Sequence, residues 1–166
     1  PSLCNPAVFE LFLDFMYHNK DIAAKDMKAE HVVPMLWLAK HLRVEAAHAA
    51  LMGVLQDTLK ANTAAIYLAH AWQLGAGYEK LQKAALGVIA RASGSATDAV
   101  PVETFGPYPL DCFASMLKAV VGGNGDGDGD RFAYVSHLVA AYLRAHEHDG
   151  SIDAAAFRGI AAAWFA

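Results

Sequence analysis

Apolar residues recur along this chain at intervals of three and four, and alternating β-branched runs are nearly absent, so the pattern predicts helix after helix. The first stretch, NPAVFELFLDFMYHNKD, has Pro6 where a first helical turn tolerates a missing N–H. Glu10, Asp14 and Tyr17 form one thin polar stripe on an otherwise apolar cylinder. Residues 21 to 27 are polar and non-periodic, a connection with at most a short extended segment. EHVVPMLWLAKHL then sends Val33 and Leu36 inward together with Trp37, and Pro34 lies close to its start. In VEAAHAALMGVLQDTL the apolar face is Val44, Ala47, Leu51, Val54 and Leu55.

Asn62 or Thr63 is the expected N-cap of NTAAIYLAHAWQLG, which should stop at Gly75 and Gly77, where left-handed backbone costs little. YEKLQKAALGVIARA follows with Tyr78, Leu81, Ala85, Val88 and Ile89 on one face. After a Ser/Gly/Pro-containing connection over 93–101, PLDCFASMLKAVV aligns Leu110, Phe113, Leu117 and Val120. RFAYVSHLVAAYLRAHEH aligns Val135, Leu138, Val139 and Tyr142, and DAAAFRGIAAAWF offers Phe157, Ile160 and Trp164. Short connections between amphipathic helices imply antiparallel neighbours, so the expected fold is all-α, built of stacked antiparallel helical hairpins.

Composition narrows the function classes. With 166 residues, 55% of them apolar, the chain can bury one good core or two small ones. A net charge of −4 and the lack of any Lys/Arg run leave no electrostatic footprint for nucleic acid. No apolar run approaches the roughly 20 uncharged residues of a membrane span. Cys4 and Cys112 stand far apart without CxxC spacing, as expected of reduced thiols packed as small hydrophobes in a cytoplasmic or nuclear protein. The chain opens Pro-Ser-Leu, which suggests a piece of a longer protein.

The residues that invite chemistry are better explained by structure. GGNGDGDGD, over 122–130, resembles a calcium loop. In the frame starting at Asn124, however, Val135 occupies the position of the bidentate Glu, and in the frame from Asp126 that position is His137. The expectation is a flexible Gly/Asp loop with no metal. His146, Glu147, His148 and Asp149 are too close in sequence to converge from one helix, where side chains two apart diverge by roughly 200°, and they read as an exposed helix end. His41 and His48 flank a helix break. No HExxH, Walker loop or nucleophile elbow is present, and the neighbours Ser136 and His137 lack a triad's orienting logic, so neither a catalytic residue nor a cofactor is expected. Trp37, Trp72 and Trp164 sit in helical patterns and are expected in cores.

Phe9, Leu13, Phe15 and Tyr17, a short polar segment, and then Val32, Val33, Pro34, Met35, Leu36, Leu38, Ala39, Leu42 and Val44 resemble the C-terminal half of a BTB/POZ domain. Asn62, Ile66, Tyr67, Ala71, Leu81, Ala85, Leu86 and Ile89, with later echoes in PLDCFASML and LVAAYL, resemble the BACK domain that commonly follows it. The resemblance divides the chain into a BTB-like part at 1–60 and a BACK-like part at 61–166. It lacks the N-terminal BTB half, and GGNGDGDGD stands where many relatives carry an acidic V-x-x-E element. What it implies is a non-enzymatic substrate adaptor of a cullin-3 ubiquitin ligase, with the protein substrate held outside this chain and a homo-oligomer formed through the missing half. A BTB/BACK oligomerisation or transcriptional co-regulator scaffold is the alternative, and a helical ligand-binding or enzymatic domain the more distant one. By position in that family, the junction KHLRVEAAH lies on the surface offered to cullin-3, which makes Lys40, His41 and Arg43 the candidate partner-binding residues. A solvated helix turn explains the same residues equally well. Val8-Phe9-Glu10 matches the letters of the family's hydrophobic-x-Glu cullin determinant but lies within a helix, and is read as coincidence. Removing the cover of the absent half should also leave the first helix with an exposed apolar patch.

Overall fold

The computed structural model describes residues 5–18, 27–92, 108–122 and 128–146, and among these every regular element is a helix. The helices are α1 (Pro6–His18), α2 (Ala29–His41), α3 (Glu45–Thr58), α4 (Ala61–Leu74), α5 (Glu79–Ala92), α6 (Leu110–Val121) and α7 (Asp128–His146). The all-α expectation holds, and the arrangement is consistent with stacked helical hairpins. The chain divides into two compact units, residues 1–85 and 86–166. The family boundary expected after residue 60 falls between α3 and α4, inside the first of them. The segments at 21–26 and 93–101, Cys4 and the expected last helix with Trp164 lie outside the described residues.

In the first unit α2 is the hub, packed against α1, α3 and α4. Its sequence explains that position. Val32, Val33, Met35, Leu36, Leu38 and Ala39 leave hardly any polar side in the middle of the helix, and all are buried. Val8 and Phe12 of α1, Ala47, Leu51 and Leu55 of α3 and Tyr67 of α4 complete the core. Burying each Leu-sized side chain contributes about 1.5–3 kcal/mol. Val44 and Val54, expected inward, are only partly buried but pack against this core, as does Trp37. Pro34 lies deeper than expected. It is the sixth residue of α2, so its missing N–H deprives the Glu30 carbonyl of its i+4 helical donor.

Side chains organise the helix ends. The Asn5 Oδ1 accepts the Val8 N–H at 2.9 Å, which caps α1 just ahead of Pro6. Helix α4 begins two to three residues earlier than expected, with Lys60 rather than Asn62 or Thr63 at the N-cap. Thr63 serves from the third helical position instead: its Oγ1 accepts the Lys60 N–H at 3.0 Å and its hydroxyl donates to the Thr58 carbonyl. A threonine can reach back to the cap residue as the Glu of a capping box does, and sequence proximity alone does not separate the two positions. The Thr58 hydroxyl donates to the Val54 carbonyl at 2.6 Å, so the buried Tyr67 hydroxyl, 2.6 Å away, is the donor in their mutual bond. Burial raises the Tyr67 pKa, and the bond to Thr58 offsets part of that rise. As predicted, α4 stops at Gly75, with φ of 67° there and 94° at Gly77.

In the second unit α6 packs on α7. Phe113, Leu117 and Val120 are buried as expected, and Cys112 and Met116 join them. The Phe113 and Tyr142 rings stack with centroids 3.9 Å apart, and the Tyr142 hydroxyl donates to the Tyr108 carbonyl at 3.1 Å. Burial, reinforced by Asp111, pushes the Cys112 thiol up to about 12, and the residue is free and inaccessible, a small hydrophobe rather than a nucleophile.

The structure corrects two expectations. Within the stretch 122–130 expected as a Gly/Asp loop, Gly122 caps the C-terminus of α6 and the chain is helical again from Asp128. A helix N-terminus accepts acidic residues as readily as a hydrated linker does, so composition alone does not place the boundary. Residues 123–127 lie outside the described set. His146 belongs to no exposed helix end; it is buried, with its ring 4.4 Å from that of Tyr142, one turn back on the same face. Residues 147–149 are not described.

Candidate docking groove

The junction between α2 and α3 is formed by Leu42, Arg43 and Val44. The Val44 N–H donates to the Ala39 carbonyl at 2.8 Å and the Arg43 N–H to the Lys40 carbonyl at 3.2 Å, the paired bonds of a Schellman motif. That motif needs a left-handed residue after the helix, usually Gly. Here the residue is Arg43, at φ 57°. A side chain in this backbone region costs on the order of 1 kcal/mol. Keeping arginine here aims a guanidinium out of the turn.

Beside this junction the first unit holds a half-open groove of about 710 Å³. Leu36, Met52, Leu55, Leu59, Leu81 and Ala84 give it an apolar floor, drawn from α2, α3 and the start of α5. Lys40, Arg43, Glu45, His48 and Lys80 supply its polar lining. The Lys40 ammonium sits 5.3 Å from the centroid of the Tyr78 ring, which also lines the groove. Gly77 keeps this approach open, because a Cβ there would meet the Lys40 Nζ at 3.3 Å and φ is positive. The turn carrying Tyr78 is held by Glu79, whose carboxylate accepts the Gly77 N–H at 2.9 and 3.0 Å. That bond, its own backbone N–H and the charge of Lys40 hold the Glu79 carboxyl below the usual range, against a slight opposing effect of desolvation. The Gln82 amide donates to the Ala71 carbonyl at 3.0 Å, fastening the start of α5 to the end of α4.

The three residues marked in the sequence therefore separate. Lys40 and Arg43 come together at the groove. His41 is not in its lining and stacks on Trp37, with ring centroids 4.8 Å apart and planes within 7°. Glu45 and His48 fall inside the junction 40–48 marked by sequence position, though not among its named candidates, and Lys80 lies outside it. The signal available is the spacing of Tyr78, Leu81 and Ala85, which marks the inner face of α5 and so puts Lys80 beside it.

A second polar cluster lies between α2 and α4. His31 is 3.5 Å from Glu30, which also pairs with Lys28 at 3.9 Å. His70 feels both Glu30 and His31, and its Nδ1 is buried without a hydrogen-bond partner among the described residues. No group of three or more His, Cys, Asp or Glu among the described residues is arranged to hold a metal ion. Among them, too, no helix is long and apolar enough to cross a membrane.

No family model, curated protein sequence or solved structure matches the chain.

Proposed function

We propose that the first unit is a protein-docking module, and that the chain serves as a non-enzymatic adaptor contacting the N-terminal region of cullin-3 through the α2–α3 junction. The observation that carries the docking reading is the groove itself. It is apolar in its floor, half-open and lined by charged side chains, a form that suits a protein segment. The cullin assignment is supported by the BTB/POZ and BACK resemblance of residues 9–44 and 62–89, whose partner surface corresponds to Lys40, His41 and Arg43. On this reading the substrate is held elsewhere in the full-length protein, whose setting is cytoplasmic or nuclear.

The test is calorimetric titration of the cullin-3 N-terminal region into the full-length protein, with the 166-residue chain beside it. Micromolar or tighter binding, weakened about tenfold or more when Lys40 and Arg43 are both replaced by Glu, is expected. No binding by the full-length protein overturns the cullin assignment.

A second reading, an oligomerising BTB/BACK scaffold, is favoured by the outer face of α1. Phe9, Met16 and Tyr17 are all exposed there, Tyr17 to 80%.

A further inference from the structure

We propose that the segment entering the groove is a short amphipathic helix of a protein partner, apolar on the face it buries and carrying Glu or Asp beside that face. The inference rests on the docking reading above and adds the chemistry of the occupant. Its main support is a local reversal of charge. The chain carries −4 overall, yet the ionised groups of the groove are three cations, Lys40, Arg43 and Lys80, against the single carboxylate of Glu45. Glu79, whose charge Lys40 also feels, is already engaged with the Gly77 N–H.

The placement of these cations matters as much as their number. Lys40 and Arg43 come from the end of α2 and the turn after it, and Lys80 from the first turn of α5, so the cations stand on separate elements around an apolar floor. A single-headed ligand such as a fatty acid needs one cation at one mouth. Three cations beside an apolar floor fit a segment that pairs several carboxylates with one apolar face, and a helix with an apolar ridge at i, i+3, i+4 and i+7 and Glu or Asp beside it has that pattern. Met52 gives the floor an adaptable side chain.

One of the three cations is also held in place: the Lys40 ammonium rests over the Tyr78 ring. At Arg43 two backbone hydrogen bonds fix the main chain at the edge of the groove, in a conformation that glycine would adopt at less cost.

The experiment uses the 166-residue chain and two labelled helical peptides of about 15 residues. Both have Leu at i, i+3, i+4 and i+7; one carries Glu on its flanks and the other Lys. Fluorescence anisotropy should show the Glu peptide binding at least about tenfold more tightly than the Lys peptide, with the preference shrinking between about 0.05 and 0.5 M salt. The triple variant Lys40→Glu, Arg43→Glu, Lys80→Glu should reverse the preference. Should that variant fail to fold by circular dichroism, Lys80→Glu alone, on an exposed first turn, must still weaken the Glu peptide and not the Lys peptide. Equal binding of the two peptides, tighter binding of the Lys peptide, or no binding of either overturns the proposal. So does displacement of the Glu peptide by decanoate at equal concentration, which would mark a site for fatty acids. If cullin-3 binds while the Glu peptide does not, only the acidic-helix inference falls. If the peptide binds while the full-length protein ignores cullin-3, only the cullin assignment falls.

Discussion

At the scale of single residues, Arg43 gives the clearest separation between what folding asks for and what a site asks for. The turn after α2 requires a left-handed residue, and both Schellman hydrogen bonds form around it. Glycine would satisfy that requirement without the clash between Cβ and carbonyl, at some cost in unfolded-state entropy. Arg43→Gly should therefore raise the unfolding free energy of the first unit by about 0.5–1 kcal/mol in urea denaturation, while weakening the Glu peptide. A variant more stable but poorer at binding is the signature of a residue kept for contact. A variant less stable than wild type would mean that the guanidinium contributes to folding, and that no strain is held at the groove. Sequence points to Arg43 through family position, but nothing in the letters HLRV reveals a positive φ. That value accompanies the paired bonds between Val44 and Ala39 and between Arg43 and Lys40, which turn the chain from α2 into α3.

At the scale of elements, the α2–α4 contact should respond to acid. Burial, with a smaller contribution from the charge of His31, lowers the His70 pKa below its ordinary 6.5, and Glu30 only partly opposes this. The folded state therefore binds a proton at His70 less readily than the unfolded chain does. The stability tied to this neutral imidazole is fully present above the unfolded value of about 6.5. It is lost as pH falls from there through the depressed folded value, and below that the loss is constant. Urea midpoints measured from pH 7.5 to 5 should decline for wild type, and His70→Leu, which has no proton to gain, should show the smaller decline. Parallel curves for the two proteins would exclude His70 as the source. Periodicity makes such a contact partly legible in advance. The i, i+3, i+4 pattern locates α2, α3 and α4 and most of their inward residues, because these helices form chiefly by burying an apolar face. It cannot rank helix ends, where a single hydrogen bond decides. Thr63 therefore reads as the cap that it instead serves from the third position, and Asp128 reads as loop although it begins α7. The groove is less legible still, since its floor joins residues from 36 to 84, and only the packing of α2 and α3 with the start of α5 puts Lys80 in one site with Lys40.

At the scale of the whole molecule, α1 sets the main demand on whatever surrounds the chain. Among the described side chains of this helix Val8 and Phe12 are fully buried, and Leu13 and Phe15 are half-buried. Phe9 at 43%, Met16 at 39% and Tyr17 at 80% exposure lie on one side of the cylinder, and Leu11 at 37% lies across from them beyond Glu10 and Asp14. The core explains the split: α2 offers one face for α1 to pack on, and a helix with so few polar residues has more apolar surface than one neighbour can cover. Contiguous exposed apolar area of this kind drives association in water, at roughly 25 cal/mol for each Å² removed from solvent. The 166-residue chain should therefore self-associate with rising concentration in sedimentation equilibrium and should enhance the fluorescence of an apolar dye. Replacing Phe9 and Met16 together by Glu should suppress both while leaving the Val8 and Phe12 contacts, and hence the far-ultraviolet helical signal, in place. If the wild-type chain stays monomeric at high concentration and leaves the dye dark, the outer face of α1 is no interaction surface and the oligomerising scaffold reading falls. The groove lies among α2, α3 and the start of α5 and its lining includes no residue of α1, so the paired Glu variant should keep the affinity for the acidic peptide. Association through α1 with binding retained at the groove would describe a module with two independent faces, one for its own assembly and one for a partner.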